Sequence, residues 1–535
     1  MKKQMIIALS LMVSISSVQA QETYENANLA TQDLNGTARY VGMGGALDAL
    51  GADISTISTN PAGIGLFRHS NASLSSGMVS QKDAVEFGGG NKTNMSFDQA
   101  GFVYVSRTGR QSFLNFGFNY HKSRNFDFLM FAGGNLNGGS QTKVSYNKAI
   151  DENGNFRDFV DVERNNPNDF GTVTSDYIEC SQLDYLYWNT VNFNPLITGQ
   201  DAMYYYEGDN YLMQKYNKGY VGAYDFNISG NLNDRVFLGL TLGIKDVHYR
   251  SYSNYSEYFT RNPKNLGLGG TMVEDDREIT GTGFDIKAGV IFRPIEESPF
   301  RIGLSIASPT FYELTTNNLT RMWVDDKDAN PNTYESNSGL ANQESYEFKF
   351  NTPWNFGLSL GHTIDNFLAL GASIDYSDYS SIDNRVNTSW DSWSGDYNSE
   401  SDRDMNDHTS KTLKGVTTVK LGAELKPEPS LAVRLGFNYV SPIYKDMGVK
   451  DNMVSSYGVY YSSSMDYTNW KDTYRITAGF GYKVGSVNLD MAYQYSQTDG
   501  VFTPFYDCYE PANKPQSVDV SNKRHQLIFT LGYTF

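Results

Sequence analysis

Val236-Phe237-Leu238-Gly239-Leu240-Thr241-Leu242-Gly243-Ile244-Lys245 decides the fold. Val236, Leu238, Leu240, Leu242 and Ile244 fall on one face of an extended chain. Gly239, Thr241, Gly243 and Lys245 fall on the other, because successive side chains of a strand point to opposite sides. The last residues repeat the rhythm, with Leu527, Phe529, Leu531, Tyr533 and Phe535 opposing Gln526, Thr530, Gly532 and Thr534. So do 431–439, where apolar residues oppose Ala432, Arg434, Gly436 and Asn438, and 474–484, where they oppose Arg475, Thr477, Gly479, Gly481 and Lys483.

Fourteen such segments lie near 70–79, 98–107, 112–121, 220–230, 235–250, 278–293, 300–313, 346–360, 367–380, 413–425, 431–440, 473–484, 486–496 and 524–535. About ten residues is the length a tilted strand needs to cross a bilayer. The number is even, as in single-chain bacterial barrels. Short connections (108–110, 231–234, 294–299, 362–366, 426–430) alternate with long polar ones (122–219, 251–277, 314–345, 381–412, 441–472, 497–523). Tight periplasmic turns on one side and long external loops on the other describe a transmembrane barrel with both termini in the periplasm. A soluble β-sandwich has no reason to sort its loops this way. The expected class is all-β, an antiparallel barrel of about 14 strands in the outer membrane of a Gram-negative bacterium.

The apolar set then faces lipid, since backbone in hydrocarbon must be fully paired within a closed ring. The opposite set lines the lumen, with Lys420, Glu424, Arg434, Arg475, Lys483, Asp490 and Asp375 as candidate lumen charges. These read as a solvated or salt-bridged interior rather than as a catalytic one. The C-terminal Phe535 ends the last strand as an aromatic signal for the barrel assembly machinery. A monomer is expected.

The remaining composition agrees. Tyr 38, Phe 31 and Gly 49 stand against two cysteines, and the mean hydropathy is −0.47. Barrel strands escape hydropathy windows because only alternate residues are apolar. A net charge of −17 and a pI of 4.8 give no footprint for nucleic acid. Lys2 and Lys3, a short apolar stretch and Val18-Gln19-Ala20 form a signal peptide over 1–20, cleaved after Ala20. Outside the cytoplasm Cys180 and Cys508 can form a bridge, though two lone cysteines do not establish one.

Residues 21–66 do not alternate. They run through Thr37-Ala38-Arg39-Tyr40-Val41-Gly42-Met43-Gly44-Gly45-Ala46 to Asn60-Pro61-Ala62-Gly63. Small residues permit close backbone packing, and Asn-Pro marks a turn. Such a segment can plug the barrel formed by 67–535.

This run resembles the hatch of the FadL family of outer-membrane transporters (OmpP1/FadL/TodX), which carry long-chain fatty acids and other hydrophobic molecules. Segments 368–376, 419–439 with Glu424 and Arg434, and 475–493 resemble the family's barrel hairpins. The resemblance covers essentially the whole mature chain. It implies a fourteen-stranded barrel, a lumen plugged by the hatch, an external capture groove, an internal site, and a sideways exit at an inward kink of a strand. It implies hatch roles for Asn60, Pro61, Ala62 and Gly63 and for Gly42, Gly44 and Gly45. It also places residues 21–28 near the internal site. The chain departs from the family pattern over 122–219, which is unusually long and polar. There Leu183, Tyr185, Leu186, Tyr187, Trp188, Tyr204, Tyr205 and Tyr206 form an aromatic cluster. Tyr185, Tyr187, Trp188, Tyr204 and Tyr205 are candidates for external ligand capture, since exposed apolar patches mark binding sites. A lid packed on itself is the alternative.

No phosphate-binding glycine loop and no zinc-spaced His/Cys cluster is present. His69, His121, His248, His362, His408 and His525 are scattered singly. A haem receptor, using His or Tyr as ligand, and a general porin are the alternative functions. A barrel lipase or protease would need a Ser/His/Asp set at the lumen edge, and none assembles from the sequence. The expected activity is passive uptake of hydrophobic molecules, with no catalytic residue, metal or cofactor.

Overall fold

The computed structural model describes residues 22–163, 172–174, 180–192, 203–260, 268–326, 344–391 and 396–535. The expected leader, its cleavage site after Ala20, and Gln21 lie outside the described residues. The alternating segments become fourteen staves of one sheet. The first seven are β1 (Asn71–Gln81), β2 (Thr93–Arg107), β3 (Phe113–Asn125, resumed at Phe128–Asn135), β4 (Gly208–Leu232), β5 (Val236–Phe259), β6 (Leu268–Phe292) and β7 (Arg301–Ala307, resumed at Phe311–Asp326). The others are β8 (Glu344–Asn351, resumed at Asn355–Ile364), β9 (Leu368–Asp378, resumed at Asp383–Asp391), β10 (Gly415–Glu428), β11 (Leu431–Val440), β12 (Tyr467–Val484), β13 (Val487–Thr503) and β14 (Val518–Thr534). Each pairs antiparallel with the next. β14 returns to β1 in unbroken register, from Thr534 opposite Asn71 to Arg524 opposite Gln81. The ring therefore closes.

Within the lower half of every stave the apolar residues face outward, including Leu238, Leu240 and Leu242 on β5 and Phe529, Leu531 and Tyr533 on β14. Above that belt the chemistry inverts while the parity stays. On β5, outward positions become Asp246, His248 and Arg250, and inward positions become Val247, Tyr249 and Tyr255. β6 does the same, with Glu278 and Asp276 outward and Ile279 and Val273 inward. Water now surrounds the outside, and the inside has become a protein core. β4, β5 and β6 run 25, 24 and 25 residues, far beyond the roughly ten that a bilayer requires. The sequence reading ended β4 at 220 because apolar-outward alternation stops where lipid stops.

Residues 22–67 lie inside the ring. Helix α1 (Thr23–Ala30) reaches toward the outer end, helix α2 (Ala38–Gly42) sits lower, and 3-10 turns follow at Ile54–Ser58 and Pro61–Leu66. Asn60 caps the second turn, its side chain accepting from the Ala62 N–H at 3.2 Å, with Pro61 at the first helical position, where proline's missing N–H costs nothing. The wall is cut to fit this segment. A Cβ at Gly239 or Gly289 would overlap Asn60 and Pro61, and one at Gly371, Gly422 or Gly436 would overlap the backbone of Ala46, Met43 or Gly44. Gly44 and Gly45 take φ of 63° and 83°, a left-handed conformation that side chains disfavour. Polar wall groups complete the seat: Asn115 Nδ2 donates to the Ile64 carbonyl at 2.7 Å, Thr241 Oγ1 to Ile57 at 3.0 Å, and Arg301 to Leu50 at 2.8 Å.

The aromatic cluster of 183–206 closes the outer end. Helices α3 (Gln141–Ala149) and α4 (Gln182–Tyr187) pack with the inverted upper staves. The expectation that Tyr187 and Trp188 capture ligand is corrected: both are buried, at 0 % and 1 % exposure. The Tyr187 hydroxyl donates to Gln141 Oε1 at 2.8 Å and the Trp188 indole to the Ser145 carbonyl at 2.7 Å. Side chains with their polar ends satisfied and their rings packed present nothing to an external ligand. Tyr185 and Tyr204 are half-buried, and Tyr205, beside Lys143, is the exposed member. A buried ion pair, Lys148 with Asp184 at 2.6 Å, sits under the same lid. Cys180 is buried and Cys508 half-buried, and no disulfide joins them.

Two outcomes follow from this packing. Gly422→Leu should leave a heat-modifiable barrel but dislodge residues 43–46, raising planar-bilayer conductance several-fold; conductance equal to the parent would show that the seat tolerates a side chain. Glu257, above the membrane belt on β5, accepts from the Gln141 N–H at 2.8 Å and the Tyr255 hydroxyl at 2.9 Å. Burial pushes its carboxyl up to about 7. Its folded value exceeds its ordinary one, so its stabilisation is complete below the ordinary range and fades as pH rises toward 7. Amide exchange in α3 should therefore quicken, after correction for intrinsic rates, between pH 5 and pH 8, and Glu257→Gln should abolish that trend.

Candidate functional site: a cavity above the N-terminal segment

A cavity of about 480 Å³ lies inside the barrel, between the N-terminal segment and the lid. Tyr40 and Leu34 contribute from below, and α1 lines it along one side. α1 is held high in the lumen: Tyr24 stacks on Tyr444 at 4.9 Å and donates to Asn469 at 2.8 Å, while Thr23 meets Thr409 of helix α5 (Arg403–Thr412) at 2.8 Å. Phe126, Phe128, Tyr379, Tyr467 and Trp470 add aromatic faces.

The electrostatics are uneven. Asp33 lies at the centre of three guanidinium groups. Arg124 approaches it at 3.1 Å and Arg475 at 3.7 Å, and Arg524, which donates to the Asn125 carbonyl at 3.5 Å, adds a third positive charge. Arg124 also donates to Asn28 at 3.1 Å, and Arg475 to Asn438 at 2.8 Å. Lys122 faces Asp98 and Asp127, and Asp127 also faces Arg524. Four cations thus meet three carboxylates, and one positive charge is left over beside an aromatic cavity, in a chain of net charge −17.

The expected lumen charges divide between two places. Lys420 bridges Asp48 at 3.2 Å and Asp375 at 2.6 Å and, like Arg475, lines this cavity. Glu424, Arg434 and Asp490 instead join Arg39 of the N-terminal segment, with Arg434 at 2.6 Å from both carboxylates and Arg39 at 3.0 Å from Glu424. They border a second cavity, of about 350 Å³, at the periplasmic mouth, where Lys483 also stands. Asn60, Pro61, Ala62 and Gly63 lie away from the upper cavity, wedged against β5 and β6. Arg124, Arg524 and Asp33 were not singled out from the sequence. Arg524 does carry the parity of the last strand, two residues before Gln526, and that signal could have found it.

The wall is not uniform beside the cavity. Residues 121–128 of β3 all line it consecutively, whereas a straight stave would show every second residue. Pairing with β2 stops at Gln99 opposite His121, although β2 continues to Thr93. The register against β4 slips between Lys122 and Arg124, and Phe126 N–H donates to Gly219, whose φ is +102°. β3 thus turns into the lumen and, among the described residues, leaves the outer part of β2 without a ladder partner on that side. The spacing Gly357-Leu358-Ser359-Leu360-Gly361 matches a hydrolase elbow but lies mid-strand on β8. No strand-to-helix turn exposes Ser359 there.

No family model matches the chain, and no curated protein matches it. Among solved structures it is similar to a Pseudomonas aeruginosa FadL homologue, at 13% identity and a TM-score of 0.49, over 95% of this chain and 99% of that one. It is similar to the Ralstonia pickettii toluene transporter TbuX, at 13% identity and 0.47, over 94% and 99%. The Pseudomonas putida toluene transporter TodX follows at 10% identity and 0.43, over 94% and 99%. Likeness at this level concerns fold and carries nothing about cargo.

Proposed function

We propose that the chain is an outer-membrane transporter for hydrophobic molecules bearing an anionic end, long-chain fatty acids being the representative class. The uncompensated charge of Arg124, Arg475 and Arg524 beside aromatic walls carries this reading. A carboxylate would meet guanidinium donors in their preferred geometry, and an alkyl chain would lie on Phe126, Phe128 and Trp470. A ligand wholly without charge would leave that surplus positive charge unbalanced, which is costly. The filled lumen favours a selective carrier over a general porin. The inward turn of β3 supports a lateral exit past the unpartnered end of β2, delivering an apolar molecule into the membrane. Residues 21–66 act as the hatch in this scheme, and the aromatic Phe535 offers the assembly machinery its signal. Haem binding remains the second candidate for an acidic, planar ligand, with its propionates taking the place of the fatty-acid carboxylate.

The test is binding of dodecanoate and dodecanol to the purified full chain, followed by calorimetry. A charge-assisted hydrogen bond contributes about 1.5–3 kcal/mol, so Arg475→Gln with Arg524→Gln should weaken dodecanoate at least about tenfold. Dodecanol should change little. Equal affinities for dodecanoate before and after the substitutions would overturn the assignment.

A further inference from the structure

The two cavities approach each other along β13 and β14 with one side-chain layer between them. On β13, Gln494 lines the upper cavity and Asp490 the lower; on β14, Gln526 lines the upper and Thr530 the lower. The layer between is Ala492 and Ile528, register partners, packed with Ala38 and Val41 of α2. All four are at most 1 % exposed. Two residues of strand rise about 7 Å, so the seal is a single apolar row.

Its surroundings are polar. Gln494 donates to Gln526 at 3.2 Å and Gln526 to Asn35 at 3.2 Å above the row. Beside it, the Ser75 hydroxyl meets Thr530 at 2.8 Å and donates to Gln99 at 2.9 Å. The Ala38 N–H donates to Thr530 Oγ1 at 2.8 Å. A thin apolar constriction between two wet chambers blocks by excluding water.

α2 is flanked by glycines of positive φ, Gly36 at +143° before it and Gly44 and Gly45 at +63° and +83° after it. Side chains hold its first turn: Arg39 to Glu424 at 3.0 Å, and the Thr37 hydroxyl donating to Asp53 at 2.8 Å. From Gly42 onward the chain is instead wedged, backbone to backbone, on the wall glycines, so its Ala38 end is the one free of a backbone wedge.

We infer that α2 is a gate, and that swinging it away from Ala492 and Ile528 joins the two cavities into an axial exit to the periplasm. The anionic end of the cargo would descend past Gln526 and Thr530 to the Arg39–Arg434 network. This route rests on the cavity reading above but is separate from a lateral exit, and the two differ in what they can pass. A water-soluble carboxylate gains nothing from a door into lipid.

The probe is therefore hexanoate, whose influx is followed in liposomes carrying the full chain. Ala38→Cys with Thr530→Cys sets two thiols across a contact already within hydrogen-bond reach. Oxidation should lower influx about tenfold or more, and dithiothreitol should restore it; oxidised parent protein, which keeps Cys180 and Cys508, is the control. Ile528→Asn should wet the row and raise planar-bilayer conductance several-fold. Influx indifferent to the lock, or Ile528→Asn conductance at the parent level, overturns the gate. Dodecanoate binding to the locked protein reads the cavity separately, so failure of the gate and failure of the cavity assignment are distinguishable.

Discussion

A polypeptide in hydrocarbon cannot leave its peptide groups unpaired, and that constraint shapes the rest of this molecule. It is met where β14 returns to β1, eleven register partners deep from Asn71–Thr534 to Gln81–Arg524. Each unpaired amide in lipid costs several kcal/mol, so an open edge of that length could not persist. Closure in turn fixes the parity of every stave. With parity fixed, a side chain's neighbour (lipid, water or lumen) is decided by its place along the strand. β5 shows this in one element, passing from Leu242 outward to Asp246 outward, and from Thr241 inward to Val247 inward.

The same logic separates what the sequence disclosed from what it withheld. All fourteen staves were legible because their lipid-facing halves alternate, and the connections at 231–234 and 362–366 were legible as tight bends. The upper halves of β3 and β4 were not. Above the belt the apolar residues move inside, and Phe128–Asn135 and residues 208–219 lose the outward pattern on which the reading depended. Tyr187 and Trp188 were misread for a related reason. An aromatic run in a polar loop is identical on paper whether it faces water or packs beneath a lid, and the indole bond to Ser145 that decides it joins residues 43 positions apart.

Fit between the N-terminal segment and the wall shows a different kind of legibility. Gly42, Gly44 and Gly45 were evident as a small-residue run, but their counterparts on the staves, Gly371, Gly422 and Gly436, had no reading beyond a place on the lumen face. Only the folded chain pairs the two sets. The complementarity is reciprocal: backbone meets backbone, and Lys420 with Asp48 and Arg39 with Glu424 pin it by charge. Polar contact on the β13–β14 side and backbone wedging on the β9–β11 side make the seat asymmetric. A plug held that way is stiffest where the wall is smallest and loosest where side chains intervene.

Charge placement in the lumen then carries the functional argument. Lys420 between two aspartates, Glu424 between two arginines, and Lys287 with Asp225 and Asp285 are each balanced by neighbours. Such sets hold the strands and the N-terminal segment together and ask for no ligand. Arg124, Arg475 and Arg524 share Asp33, with Asp127 beside Arg524 and Lys122. Their mutual repulsion is tolerable beside water and relieved by any anion that enters, so the site gains from occupation what the balanced sets would lose. Desolvation sharpens the distinction, because an ion pair in a low-dielectric lumen is already satisfied while an unmatched cation is not. In this cavity the unmatched charge lies where aromatic faces, the turn of β3 and the outer end of β2 converge.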